Sequence, residues 1–245
     1  MKEHYEEKRQ RDYFLPASIV LAALLIGAAL VYNAGKTPDS ERIVDDESSG
    51  NPLLSLSRVT SADHIIGEVD APIKIVLFSD TECPFCKDFH FTVKRIAEEY
   101  SDRVALVYRH APIDMLHSKS RKEAEATECA ADLGGNEKFW DYLDRMMEIT
   151  PSNDGLSESE LPRIAEYVGL DVPRFNACLS SGKFADKVDE HLREAMRVGM
   201  QGTPYSVFVM RNVPQYALPG AVPYDDEVRG QTNMKMIIEE LLKEI

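Results

Sequence analysis

Two cysteines separated by two residues, Cys83 and Cys86, are the side chains whose type and spacing most directly predict chemistry. A Cys-x-x-Cys pair can open and close a disulfide while exchanging it with another protein through a mixed-disulfide intermediate. A zinc half-site and an inert bridge are the alternatives. Zinc would need a second close ligand pair, and Cys129 and Cys178 stand far apart without a nearby histidine. The pattern favours redox activity, and no metal is expected.

The residues on either side of the pair indicate which thiol is the reactive one. The run Ile73 to Phe78 consists almost entirely of β-forming residues and predicts a buried strand. Pro84 suits the first turn of a helix, where its missing N–H would have no partner. Cys83 would then lie at a helix N-terminus, which stabilises a thiolate. Cys83 is predicted to be the attacking thiol, and Cys86 to resolve the mixed disulfide.

Hydrophobic periodicity places this pair in a βαβ unit. After Pro84 the apolar residues recur at helical spacing as far as Tyr100, and Val104 to Tyr108 predicts a second strand. Near the end of the chain, Tyr205 to Met210 and Leu218 to Val222 predict two further strands. A closing amphipathic helix follows, with apolar positions at Met234, Ile237, Ile238, Leu241, Leu242 and Ile245. The predicted class is α/β.

A helical insertion, at about residues 112–202, separates the two halves of this pattern. Four amphipathic segments lie there, divided by Gly134-Gly135, by Pro151 to Gly155 and by Ser181-Gly182. The predicted order is therefore βαβ, helical insertion, ββα.

The N-terminal region predicts a membrane anchor. Residues 14–32 carry no charge and are about as long as one bilayer crossing, although a cleaved signal peptide and a buried helix are alternatives. Basic residues are more frequent before this segment than after it, which predicts a cytoplasmic tail at 1–13 and a domain outside the cytoplasm. Residues 33–57, rich in Ser and acidic side chains, predict a flexible linker, and 58–245 the folded domain. The net charge of −14 argues against nucleic-acid binding.

Gly202-Thr203-Pro204, directly before a predicted strand, is the second motif that bears on chemistry. Proline is tolerated at the start of a strand, and an X-Pro bond in a tight turn is where a cis peptide is found. A cis Thr203–Pro204 bond near Cys83 would expose the Thr203 backbone to an extended substrate. An ordinary trans loop proline is the alternative.

Taken together, three motifs resemble the DsbA-like thioredoxin-fold thiol–disulfide oxidoreductases, in their membrane-anchored bacterial form. They are Ile75 to Asp80 leading into Cys83-Pro84-Phe85-Cys86, the insertion with Lys138-Phe139-Trp140, and Gly202-Thr203-Pro204. The resemblance covers about residues 63–245. It implies a thioredoxin fold with a helical insertion, a catalytic disulfide at Cys83–Cys86 and a cis proline at Pro204. It implies no cofactor beyond that disulfide.

The remaining two cysteines, Cys129 and Cys178, fall on the apolar faces of two predicted helices. The resemblance and the predicted compartment favour a structural disulfide between them. Two free buried thiols are the alternative.

Two positions depart from the family. DsbA has a histidine where this chain has Phe85, and a phenyl ring carries no charge, so Cys83 is predicted to be less acidic and the protein a milder oxidant. Many relatives carry a buried glutamate where this chain has Leu77. Glu82 or Asp80 could take over its part in proton transfer, although a solvated or capping role is the favoured interpretation for both.

These observations predict an extracytoplasmic oxidoreductase that introduces disulfides into reduced secreted or surface proteins. Its reoxidation is expected from a quinone-linked membrane partner of DsbB or VKOR type, by family analogy alone. A reductase or isomerase of the same fold is the first alternative. A non-catalytic, holdase-like module that binds client proteins is the second.

Overall fold

The computed structural model describes residues 51–225 and 230–245. The predicted cytoplasmic tail at 1–13, the predicted anchor at 14–32 and most of the predicted linker lie outside these residues. Within the described ranges, no helix combines the length and the apolar character needed to cross a bilayer.

A five-stranded mixed sheet forms the centre of the domain, with the strand order β1-β3-β2-β4-β5. Strands β2 and β3 run parallel, and the other three pairings are antiparallel. Strand β2 is central and buried along its whole length, as its continuous run of β-forming residues predicts. The strand bounds are β1 His64–Ile66, β2 Ile73–Ser79, β3 Val104–His110, β4 Tyr205–Met210 and β5 Val213–Pro219.

Six α-helices surround this sheet in the described residues. Helix α1 links β2 to β3, four helices lie between β3 and β4, and α6 follows β5. Pro84 occupies the first turn of α1, where a missing N–H costs no hydrogen bond. The helix bounds are α1 Pro84–Glu99, α2 Ser120–Ile149, α3 Glu160–Tyr167, α4 Val172–Ser181, α5 Ala185–Arg197 and α6 Met234–Leu242.

Three apolar clusters fill the interior of the described domain. The sheet cluster joins β2 and β3 to α1 and α6, with Phe139 and Trp140 of α2 packed against them. The insertion cluster lies within helices α2, α3 and α4 and includes Tyr142 and Phe175. Helix α2 contributes to these two clusters because its segment after Gly135 presents Phe139 to the first and Tyr142 to the second. Gly135, whose φ of 73° breaks the helical conformation, divides α2 into two segments. The sequence had predicted two segments separated at this point.

Two sequence-based boundaries were wrong. The last strand begins at Val213 rather than Leu218, because Arg211 and Asn212 both adopt positive φ (53° and 61°) and close a tight two-residue hairpin turn. Residues 52–57, assigned to the linker, lie against the domain instead. A 3-10 helix, Pro52–Ser55, brings Leu53 into an apolar cluster with Val76 and Val207.

Candidate functional site

Cys83 and Cys86 lie where β2 hands the chain over to α1. Cys83 is the N-cap residue of α1, and Cys86 falls in the first turn of that helix. Both are free and buried, with 5% and 1% of their surface exposed. The residues between them, Pro84 and Phe85, point outward, and Phe85 is 67% exposed. The surface beside the pair is therefore formed in part by the exposed Pro84 and Phe85.

The environments of the two sulfur atoms separate their pKa values. A hydrogen bond from the Cys86 thiol, against the opposing effect of burial, lowers the pKa of Cys83 to about 6. Burial raises the pKa of Cys86 well above its usual value, and the bond to Cys83 adds to this effect. Near neutral pH the pair thus holds one thiolate, on Cys83, and one thiol, on Cys86. Only the thiolate is a nucleophile.

This difference predicts a single titration in the reduced protein. We expect the thiolate absorbance near 240 nm to rise with a midpoint near pH 6 as Cys83 ionises. Because that pKa lies below the unfolded value of 9.0, the ionised thiol stabilises the reduced fold fully above pH 9.0, and this stabilisation is lost as the pH falls through about 6. The oxidised protein, which has no free thiol at this site, is the control. A midpoint near 3.5, as in DsbA, would contradict this expectation.

The loop before β4 lies directly beside Cys83. The Thr203–Pro204 peptide bond is cis, and the Cys83 thiol donates to the Thr203 carbonyl oxygen at 3.5 Å. The Pro204 carbonyl accepts from the N–H of Gly220, the residue directly after β5, at 2.8 Å, which fixes the loop to the end of that strand. The structure thus brings Thr203 and Pro204, predicted as a substrate-binding loop, into contact with the predicted nucleophile.

The acidic residues before Cys83 are not solvated, so the solvated half of the solvated-or-capping role favoured from the sequence is wrong. Asp80 and Glu82 are 1% and 0% exposed. The Glu82 carboxylate accepts hydrogen bonds from the N–H groups of Gly155 and Leu156 at 3.2 and 3.3 Å. These bonds tie the start of α1 to the helical insertion. The sequence did not predict this burial, because Gly155 and Leu156 lie more than seventy residues from Glu82 along the chain.

A third buried acid, Glu123 of α2, completes this group and was not predicted. The Thr81 hydroxyl donates to its carboxyl group at 2.7 Å. Burial raises the pKa of Glu123, and a hydrogen bond with Glu82 raises it further, so that the pKa is about 9. Glu123 therefore holds a proton at neutral pH. The sequence contained one signal for it, because Glu123 falls on the same helical stripe as Ala126 and Ala130, where a charge is unexpected.

Replacing Glu123 by glutamine should stabilise the protein in alkaline solution. The folded pKa of about 9 exceeds the unfolded value of 4.5, so the wild type loses stability as the pH rises between these values. A neutral amide removes this loss. We expect the free energy of unfolding of E123Q to exceed that of the wild type at pH 8 by on the order of 5 kcal/mol and to equal it near pH 4, in urea denaturation.

The matched control for that experiment is Glu137→Gln, an exposed position on the same helix, which should leave the pH dependence unchanged. An E123Q variant with the same pH dependence as the wild type would show that Glu123 is already ionised in the folded protein.

The other predicted pair, Cys129 and Cys178, forms a disulfide with an S–S distance of 1.99 Å. It joins α2 to α4 inside the insertion cluster. Among the described contacts, none joins this bridge to Cys83 or Cys86.

A cluster of histidines around Glu128 has the donor types of a metal site. His110, Glu128 and His191 lie close enough to share an ion, and His64 also bonds to Glu128 at 3.0 Å. However, the Lys187 ammonium group lies 2.7 Å from Glu128 Oε2 and already balances its charge. We therefore interpret the cluster as a buried ionic network that connects β1, β3, α2 and α5.

The chain resembles known proteins in sequence. A family model described as Thioredoxin matches residues 59–213. The Na(+)/H(+) antiporter NhaA 3 of Salinispora tropica is 32% identical over 142 residues, which are 58% of this chain and 21% of that protein. NhaA 1 of Mycolicibacterium vanbaalenii is 30% identical over 168 residues, 66% of this chain and 26% of that protein. The chain thus spans about a quarter or less of the length of these curated relatives.

Solved structures share the fold of this domain. Pseudomonas aeruginosa DsbA2 is 27% identical, with a TM-score of 0.61 over 77% of this chain and 99% of that one. The catalytic domain of Proteus mirabilis ScsC is 24% identical, with a TM-score of 0.60 over 79% of this chain and 94% of that one. The likeness to ScsC shows a common fold, and the likeness to DsbA2 extends to the sequence.

Proposed function

Since the chain belongs to the thioredoxin family, we propose that it introduces disulfides into secreted or surface proteins, using Cys83 and Cys86 as its redox pair. The resemblance to DsbA-like proteins and the thioredoxin-like α/β fold predicted from the sequence are confirmed. The protein is a thiol–disulfide oxidoreductase. The proposal concerns the direction of electron flow, the clients and the residues that carry the reaction.

In the proposed direction the oxidised pair accepts two electrons from a client. A client thiolate attacks the Cys83 sulfur, the Cys83–Cys86 bond breaks, and Cys86 leaves with the electron pair and takes up a proton. A second client thiolate then attacks the client sulfur of the mixed disulfide. Cys83 leaves as a thiolate, and the client departs with a new disulfide. The extended client would pair with the Thr203 backbone beside Cys83.

The difference between the two thiol environments is the observation that supports oxidation. A thiol with a low pKa is a good leaving group, and its stable thiolate favours the reduced form of the pair. The pKa of Cys83, about 6, lies between the values of about 7 for thioredoxin and about 3.5 for DsbA. We therefore propose an oxidant of intermediate strength, milder than DsbA.

A measured reduction potential tests this direction. Equilibration with glutathione buffers should give a value less negative than about −270 mV, that of thioredoxin, and more negative than about −120 mV, that of DsbA. A potential at or below the thioredoxin value would reject the oxidase and favour the reductase or isomerase. The wild type and a Phe85→His variant should be measured together, since the added imidazole is expected to make the potential less negative.

We also propose that residues 14–32 anchor the protein with the tail 1–13 in the cytoplasm and the catalytic domain outside it. The Cys129–Cys178 disulfide supports this location, because disulfides persist in oxidising compartments. Reoxidation by a quinone-linked membrane partner of DsbB or VKOR type follows from family analogy. After intact cells have been reduced with a membrane-impermeant phosphine, a membrane-impermeant thiol reagent should label Cys83, and protection until lysis would reject the location.

A further inference from the structure

Asp80 is the residue through which the structure connects both cysteines to the loop after β3. Its carbonyl oxygen accepts from the Cys83 N–H at 3.3 Å, and its own N–H points to the Cys86 sulfur at 3.5 Å. Its carboxylate accepts from the Ile113 N–H at 2.8 Å and contacts His117 Nδ1 at 2.9 Å. A change at His117 therefore reaches the dithiol through one intervening residue.

His117 is buried, yet its contacts favour the charged imidazolium. Burial lowers the pKa of His117, but the hydrogen bond with Asp80 and the charge of Asp80 outweigh this, so that the pKa is raised. The charge of Cys83 also raises it, and Asp154 contributes in the same sense. Interaction between two ionisable groups is mutual, so a protonated His117 favours the Cys83 thiolate by the same free energy.

No other described cation of the adjoining segments is available for this purpose. The dipeptide between the cysteines contains only Pro84 and Phe85, which carry no charge. Lys87 of α1 donates to the Thr150 carbonyl at 2.6 Å. Lys119 donates to the carbonyl groups of Asp154 and Leu156 at 2.6 and 2.7 Å. Both ammonium groups are thus held by the insertion.

We propose that His117 is a positioning residue for exchange, which Asp80 holds in its protonated form so that the Cys83 sulfur stays anionic. His117 thereby takes the part that a charged residue inside the Cys-x-x-Cys dipeptide would otherwise take. The groups that face it are Asp80, Cys83 and Asp154, so the protonation of His117 and that of Cys83 are linked. This inference rests on the proposed role of Cys83 as the attacking thiol.

The test compares two substitutions of different charge in the reduced full-length protein. His117→Gln keeps a donor for Asp80 but cannot be charged, whereas His117→Arg keeps the positive charge. We expect the Cys83 titration midpoint to rise by about one unit in H117Q and to stay near that of the wild type in H117R. Cys86 does not interfere, because its pKa is far above this range.

The rate of attack on a small aromatic disulfide gives a second readout. A rise of one unit lowers the thiolate fraction about tenfold at pH 5, while the more basic sulfur is intrinsically about threefold more reactive. H117Q should therefore react about threefold more slowly at pH 5 and no more slowly at pH 8. A merely structural defect would slow the reaction at both pH values, and that result would overturn the proposal.

His90→Gln is the matched control. His90 is buried in α1 and contacts Asp144 at 2.7 Å, and burial lowers its pKa, so a neutral ring is removed. Its substitution should leave the midpoint unchanged. Equal midpoints in H117Q and H117R would overturn the proposal.

Should H117Q fail to fold, the wild type provides the remaining test. The imidazole NMR signals of His117 must then shift as Cys83 ionises, and signals without that shift would overturn the proposal. Failure of the proposed function gives a different result. A wild-type protein that exchanges no disulfides rejects the proposed function, whatever the Cys83 titration midpoints of the variants are. Normal exchange with an unchanged H117Q midpoint rejects the role of His117 alone.

Discussion

Replacement of Cys83 by serine is expected to reduce thiol–disulfide exchange by at least about a thousandfold. Cys83 is the N-cap residue of α1, and its pKa is lowered to about 6, so it supplies the thiolate at neutral pH. A serine hydroxyl stays protonated in this range and cannot form a disulfide. The measurement is the rate at which the oxidised protein forms disulfides in a reduced client peptide.

Cys86→Ser is the matched variant, since it removes the second thiol and keeps the first. Cys86 is 1% exposed and its pKa is raised, so a client cannot reach it before Cys83 has reacted. The Cys83 thiolate can still attack the disulfide of an oxidised client peptide and expel one client thiolate, but no internal thiol then releases the mixed disulfide. We expect C86S to accumulate covalent client adducts on a non-reducing gel and C83S to form none.

The same pair of variants separates the enzyme from a client-binding module. If Cys83 and Cys86 were merely structural, C83S would bind clients as the wild type does, and C86S would trap nothing. Unchanged activity of C83S would therefore reject the assignment of Cys83. Adducts in C83S but not in C86S would show that the order of the two thiols is reversed.

The elements that carry these cysteines could be predicted because each depends on a few neighbouring residues. Ile73 to Phe78 predicted a strand buried on both faces, and β2 is buried throughout. Pro84 predicted the start of a helix, and α1 begins there. Strand burial and helix initiation are local consequences of hydrophobic pattern and of the missing proline N–H, so one sequence is sufficient.

The residues that surround the thiols could not be predicted in this way. His117 reaches Asp80 across 37 residues, and Glu123 reaches Thr81 across 42. Such contacts depend on how the helical insertion packs against the start of α1, and no local pattern specifies that packing. The same reason explains why burial of Asp80 and Glu82 was not expected when a solvated or capping role was favoured for both. Polar side chains at an active site are buried only when distant segments supply their partners.

Replacement of both Cys129 and Cys178 by alanine is expected to lower the free energy of unfolding by about 4 kcal/mol. The bridge closes a loop of 49 residues. Its removal increases the conformational entropy of the unfolded chain, which lowers the free energy of that state by roughly 4 kcal/mol. Both cysteines are also buried, with 1% and 9% of their surface exposed, so the alanines remove some packing as well. Urea denaturation of the variant and the wild type under oxidising conditions gives the difference.

The consequence for activity follows from how the insertion is joined to the site. The Glu82 carboxylate accepts from the N–H groups of Gly155 and Leu156, and Glu123 of α2 accepts from Thr81. While the insertion is folded these bonds remain, so the double variant should exchange disulfides at the wild-type rate at low temperature. As it warms, the insertion should unfold first and release the start of α1, so activity should be lost at a lower temperature than in the wild type. An unchanged urea midpoint would instead show that packing around Tyr142 and Phe175 holds the insertion without the bridge.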